Sequence, residues 1–354
     1  NAACREHDSS TPTVCTFTEG PRAISEYGDF LAISAGPYTY IINPAASTPT
    51  LVETQLHEAG ARARSTDVFD KQLVVANGVG ANVAIATEPR TASRGTSWIV
   101  AEGVKMGAVK AGPAGRLFSA AVNRVFNVLA GQDPADRDNY LPPAGEVLTD
   151  ETDPVRSLDT FTAALVGGTA RTLRTFDPDR GFQGVSLVRP TRLSTSEYDG
   201  RALMNLGDGR LLYATARAVW FFRCDEQPAF AGPELLQSNE SPYIGGEPGI
   251  PDFAGDWIIW PWYFPSSGDS VIFWVREREE GEHGTGPLIW SDELHLPGRE
   301  CRVVRYWGGT ATVKPRLFGG ASTPSQPEQM FHVDLGRGGG PDLFDTDAVP
   351  ASSA

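Results

Sequence analysis

Three groups of residues in this sequence have types and spacings that chemistry uses. The first is Asp133-Pro134-Ala135-Asp136-Arg137-Asp138-Asn139. Calcium binds clustered oxygen ligands, so Asp133, Asp136 and Asp138 are candidate calcium ligands. The spacing is not that of an EF-hand, and no glutamate closes the loop at its twelfth position. The alternative is a solvated loop held by Asx turns. No other cofactor is expected. The second group is Pro261-Trp262-Tyr263-Phe264-Pro265, inside a stretch that also holds Trp257, Trp260, Phe273 and Trp274. A shelf made of Trp262, Tyr263 and Phe264 near a turn can face a sugar or a protein partner. The alternative is that these rings fill the core. The third group is Cys4 and Cys15, which can close a small disulfide loop in an oxidising setting. The other cysteines are Cys224 and Cys301, and no C-x-x-C spacing marks a zinc site.

Catalytic constellations are missing. His7, His57, His283, His295 and His332 are scattered, with no H-x-x-x-H spacing. There is no G-x-S-x-G elbow, phosphate-binding glycine loop or dinucleotide fingerprint. A glycosidase or lyase needs two carboxylates in one cleft. With 44 acidic residues, candidates abound and none is singled out. The expectation is a protein without catalytic residues.

Charge narrows the partners. The formal net charge is −14, and lysine occurs only at positions 71, 105, 110 and 314. Nucleic-acid binding needs a basic footprint, and anionic lipid would repel this chain. No run of 18 apolar residues exists, so no transmembrane helix is expected. The N-terminal Asn1-Ala-Ala-Cys4 shows no signal pattern, so either none was needed or one has been removed.

The elements that must position these residues are strands. Runs of four to eight residues rich in Val, Ile, Phe, Tyr and Trp are bounded by Gly, Pro, Asn and Asp, while helical periodicity is almost absent. The runs come in pairs behind a small polar tip. One is Gly28-Asp29-Phe30 to Ser34, returning as Tyr38 to Ile42; another is Gly209-Arg210-Leu211 to Thr215, returning as Ala218 to Phe222. Such units start near 28, 70, 115, 159, 209, 255 and 301, spaced 42 to 50 residues apart. A period in the forties with several strands per unit is the sign of a propeller. The fold class expected is all-β: a β-propeller of about seven blades of antiparallel strands in a closed ring. Residues 21–335 would form it. Residues 1–20 and 336–354 read as N- and C-terminal extensions, and the segment before residue 28 is a candidate to lend a strand to the last blade. Stacked blades bury both faces of each sheet, which explains strands that are apolar throughout.

One stretch carries a resemblance. Gly115-Arg116-Leu117-Phe118, Asn123-Arg124-Val125-Phe126 and Gly131-Gln132-Asp133-Pro134, with Leu73-Val74-Val75-Ala76-Asn77-Gly78 before them, resemble a blade motif of propeller-like tail and virion proteins of tailed bacteriophages. The match covers roughly residues 67–140. It implies a structural protein of the virion, at the tail or its tip, in an oligomeric assembly with other tail proteins and touching a host-surface glycan or protein. Two alternatives stand beside it: a secreted, extracellular bacterial propeller that binds glycans or proteins, and a propeller glycoside hydrolase or lyase.

Overall fold

The computed structural model describes residues 3–4, 13–14, 20–46, 51–56, 65–87, 98–142, 153–161, 164–170, 173–176, 185–188, 198–215, 218–223, 229–230, 246–282, 287–323 and 326–335. The chain is all-β; its helices there are two single-turn 3-10 segments, Pro113–Gly115 and Arg137–Asn139. Among the described residues the strands form seven successive antiparallel sheets and one separate pair.

The first sheet holds Pro21–Tyr27, Phe30–Ala35, Tyr38–Ile42 and Leu51–Leu56 in that order; the second holds Ser65–Phe69, Gln72–Ala76, Val83–Ala86 and Trp98–Ala101. Ala108–Ala111, Leu117–Ala121 and Arg124–Val128 make the third, with Leu141 bridged to Asn127 at its edge. The fourth runs from Ser157–Phe161 through Ala164–Gly168 and Leu173–Phe176 to Val185–Val188. The fifth runs from Ala202–Gly207 through Arg210–Thr215 and Ala218–Arg223 to Ala229–Phe230. In the sixth, Glu247–Pro248 and Asp252–Ala254 share the edge of Trp257–Phe264, followed by Asp269–Glu277 and Leu288–Leu296. Val304–Trp307, Arg316–Thr323 and Gln326–Asp334 make the seventh.

The polar tips seen in the sequence are the turns from the first to the second strand of a sheet. Asp70 and Lys71 both take positive φ, at 46° and 66°, as do Asp208 and Gly209, at 51° and 72°. Two-residue hairpins whose central residues both have positive φ match the twist of their strands, and Asp and Gly adopt that backbone readily. The units near 28, 70, 209 and 255 therefore begin one strand inside their sheets. The unit near 159 is out of phase: Asp159 lies on a first strand, and Gly167-Gly168 lie inside the second rather than forming a turn. Likewise, the segment from Cys301 leads into a first strand, Val304–Trp307. Those two units differ because their residues before the apolar run imitate the tip of a second strand.

Successive side chains on a strand point to opposite faces, and here both faces are covered. Leu31 and Ile33 join Val303 and Phe318 of the seventh-sheet region, while Phe30 and Ala32 join Leu73 and Val75 of the second. Val74 and Ala76 then meet Val109 and Leu117 of the third, and Ala108 and Phe118 meet Leu158 and Leu165 of the fourth. Val166 and Leu173 meet Leu211 and Tyr213 of the fifth. Leu212 and Phe221 meet Trp260 and Trp262 of the sixth, and Ile259 and Trp274 meet Leu317 and Val333 of the seventh. Seven apolar layers thus separate seven sheets. Each fully buried Leu, Ile or Phe in them contributes about 2 kcal/mol of transfer free energy.

Among the described residues, the segment before residue 28 lends no strand to the last sheet. Pro21–Tyr27 opens the first sheet, and Ala3–Cys4 pairs with Thr13–Val14. The seventh sheet meets the first by packing and by one buried cation. A Cβ on Gly320 would lie 2.2 Å from Pro21 Cδ, so only glycine permits the approach of the two sheets there. Arg316 donates to the Pro44 carbonyl at 2.7 Å, to the Ala46 carbonyl, and to Asp334 Oδ1 at 2.8 Å. A single ammonium cannot serve three acceptors in a planar fork. Arg316→Ala is expected to cost about 3 kcal/mol, because it leaves buried carbonyls without a donor. Arg316→Lys should recover little of that loss. Urea unfolding of the three proteins checks this, and wild-type stability in Arg316→Ala would remove the tie from the account.

Candidate functional site: a charged cavity shared by seven first strands

The first strands of all seven sheets border one cavity of about 620 Å³. Neighbouring first strands run the same way. Ser65 Oγ bonds the backbone of Val109 while Asp67, two residues on, accepts from Ala111 N at 2.8 Å. Ile250 and Val303 form a parallel bridge, and Asp252 accepts from Tyr306 N at 2.7 Å.

One device recurs. Asp67, Asp159 and Asp252 each stand five residues before the second strand of their sheet. Each reaches the backbone N–H of the next sheet's first strand: Ala111 at 2.8 Å, Asn205 at 2.9 Å and Tyr306 at 2.7 Å. Asp67 and Asp159 also accept from their own following N–H, Val68 and Thr160, both at 2.8 Å. The three ties join the second sheet to the third, the fourth to the fifth and the sixth to the seventh. Between the first and second sheets, the Ser25 and Thr66 hydroxyls bond each other instead. These aspartates escaped the sequence reading, although their constant offset from the second strand was a usable signal.

Two cations complete this end of the cavity. Lys110 Nζ lies 3.1 Å from Asp159 Oδ1 and 4.0 Å from Asp67 Oδ2. Arg305 lies 3.0 Å from Asp252 Oδ1 and 3.2 Å from Glu26 Oε1. Burial pushes the Asp67 and Asp252 carboxyls above the usual range, against the pull of Lys110 and Arg305.

The opposite end is built from arginine. Arg156 and Arg201 line the cavity, and Arg156 donates to the Asp199 carbonyl at 3.2 Å. Three guanidinium groups gather on the Tyr198 ring: Arg302 at 3.8 Å, Arg201 at 5.4 Å and Arg22 at 5.8 Å. Arg302 also stacks on Tyr263 at 4.6 Å and pairs with Glu247 and Glu300. The turn carrying Tyr198 is fixed by Gly200, whose φ is 73° and whose added Cβ would fall 1.8 Å from the Thr169 carbonyl.

The residues singled out from sequence lie elsewhere. Trp262 is fully buried, in contact range of Trp260 and Trp290 between the fifth and sixth sheets, so it offers no shelf to a partner. The reason is that Pro261 sits inside the strand Trp257–Phe264 rather than at a turn. Its missing N–H falls where the edge strand breaks between Pro248 and Asp252. Tyr263 and Phe264 are half-buried, Tyr263 against Arg302 and Phe264 against the fifth-to-sixth apolar layer. Asp133 Oδ1 accepts from Ala135 N at 2.9 Å, and Asp136 Oδ1 from Asp138 N at 3.0 Å, capping the turn Arg137–Asn139. Those Asx turns spend the carboxylates locally, and no metal-binding group of three acidic, His or Cys side chains occurs among the described residues. Cys4 lies on the strand paired with Thr13–Val14; Cys15 and Cys224 lie outside the described residues, as does the segment 336–354.

No family model and no curated protein matches the chain. Solved structures do. Sqt1 of Saccharomyces cerevisiae aligns over 94% of this chain and 99% of its own, with a TM-score of 0.55 at 10% identity. A chain of the mitotic checkpoint complex aligns over 93% of this chain and 98% of its own, with a TM-score of 0.54 at 11% identity. At such identities the likeness speaks for fold alone, and it defines the class: an all-β protein of propeller-like architecture.

Two measurements follow from the site. Asp159→Ala removes the acceptor of two N–H groups and the nearest partner of Lys110, and is expected to cost about 3 kcal/mol. Asp256→Ala, at an exposed turn, should stay within about 0.5 kcal/mol of wild type. Equal stabilities in denaturant would refute the tie. Separately, burial pushes the Cys301 thiol up to about 12, so its thiolate is scarce at pH 8. Peptide mapping after alkylation at pH 8 should find Cys301 unmodified in the native protein and modified in urea.

Proposed function

We propose that the seven sheets close into a seven-bladed ring and that the chain is a non-catalytic scaffold that holds protein partners. The apolar layer joining the seventh sheet to the first supports closure, as does the cavity that all seven first strands border. One observation carries the functional half. Six large apolar residues of the second and third sheets are solvent-exposed: Val79, Ile99, Val100, Val122, Leu129 and Leu141. Among the described residues only Phe253 adds to them from elsewhere. Exposed apolar side chains gathered on two neighbouring sheets make those sheets the place to look for a contact surface. The charged groups of the cavity are largely engaged in ties between strands, which suits a scaffold.

The setting we propose is a virion, in association with a tail. Its support is the sequence resemblance over residues 67–140, which spans the same two sheets; neither similar structure described above is a tail protein.

A photo-crosslinking amino acid at Ile99 or Val122 tests the contact surface, with Asp256 as control. Adducts to another protein chain from the first two positions and none from the control are expected in the native source. Equal yields at all three, or none, would overturn the assignment. Sedimentation of the same material separates the setting from the scaffold: a chain found only in the soluble fraction is not a virion component. Negative-stain images should show a disc with seven lobes.

A further inference from the structure

The second sheet ends on an apolar outer strand. Trp98–Ala101 is the last of its four strands, at the edge away from the cavity. Ile99 is 43% exposed and Val100 is 38% exposed. Successive residues on a strand point to opposite faces, so this edge shows an apolar side chain to water on each face. Its inner edge pairs with Val83–Ala86, and no strand pairs with its outer edge among the described residues. Alternate residues of a strand direct N–H and C=O to the same edge, so two of the four aim both groups outward.

The last strands of three other sheets carry the charges that keep such an edge from pairing. Leu51–Leu56 has Glu53, Leu288–Leu296 has Asp292 and Glu293, and Gln326–Asp334 has Glu328 and Asp334. Trp98–Ala101 has neither a charged residue nor a proline. An uncharged, apolar edge is a template for another strand.

The distribution of charge selects the partner. Residues 65–142, which hold the second and third sheets, carry eight basic and seven acidic side chains. The rest of the chain carries 22 basic and 37 acidic ones. Two copies of a chain with net charge −14 repel each other, and they do so least where the excess is smallest. This sector is that place, since neither copy brings an acidic excess to it. The edge also suits itself. Antiparallel pairing about a two-fold axis gives both copies the same contacts. Centred on Ile99, it sets Ile99 beside the partner's Ile99 on one face and Val100 beside the partner's Trp98 on the other.

We propose that the outer edge of Trp98–Ala101 pairs antiparallel with the same strand of a second copy, joining two four-stranded sheets into one continuous sheet. The inference rests on the reading of the second and third sheets as a contact surface, and it names the partner at their edge strand.

Sedimentation velocity of the purified whole chain provides the test. A four-residue edge makes a small interface, so a reversible dimer with a Kd on the order of 10 μM is expected. Ile99→Lys sets two like charges opposite each other and should weaken the dimer at least about tenfold. Val79→Lys, the same change at an exposed turn of the same sheet, should leave it unaltered. Amide exchange of the wild type needs no variant: residues 98–101 should exchange more slowly at about 100 μM than at about 1 μM. A monomer throughout that range, or a dimer as strong in Ile99→Lys as in wild type, would overturn the inference. So would concentration-dependent protection that omits residues 98–101. If the purified chain stays monomeric while Ile99 and Val122 still crosslink to a different protein, the second copy is excluded and the scaffold reading stands. If the dimer forms through this strand and neither position captures a different protein, the scaffold reading fails alone.

Discussion

The constraint on which this structure depends is that every sheet is apolar on both faces. A strand such as Leu73–Val74–Val75–Ala76 has no side to give to water. It is stable only with a sheet before it and a sheet behind it. An isolated hairpin of this composition would expose both apolar faces and be marginal at best. Sheet follows sheet for that reason, and the last one, with Phe318 turned toward Ile33 and Ile42, meets the first. The tryptophans of the sixth sheet are the extreme case. Trp260 and Trp290 stack at 5.4 Å on one face, while Trp274 and Trp257 meet edge to face at 6.4 Å. Those rings are spent on two different interfaces.

Polar chemistry occupies what the apolar layers leave over. Where seven first strands converge, their edges face one another and need hydrogen-bond partners. Asp67, Asp159 and Asp252 supply them at alternate junctions, and hydroxyls serve elsewhere, as between Ser25 and Thr66. Because a buried carboxylate needs a counter-charge, Lys110 and Arg305 stand on the intervening strands. The charge pattern of the cavity is thus first a consequence of holding strands together.

Local sequence was a good guide where local physics decides. Polar tips such as Asp70-Lys71 and Asp208-Gly209 are turns because a two-residue hairpin needs positive φ at both positions. Asp133 and Asp136 make the Asx turns weighed as the alternative to a calcium site, since each carboxylate reaches the backbone N–H two residues on. The same local view left Trp262 between the core and a shelf beside a turn, and it lies in the core. Proline flanks suggested a turn around it, yet Pro261 is accommodated inside a strand because the neighbouring edge strand is interrupted opposite it. The units near 159 and 301 were found but shifted by one strand, since Asp159 imitates the polar tip of a hairpin while serving as a tie between sheets.

What the sequence determined by itself was the all-β class and the recurrence of short strand units. These follow from composition, strand length and turn chemistry, which act over a few residues. Only the tertiary structure decided which side chains meet. Asp67 and Lys110, or Arg22, Arg201 and Arg302 on one tyrosine, are tens to hundreds of residues apart in the chain. Their convergence depends on the stacking of whole sheets, and no short window of sequence contains that information.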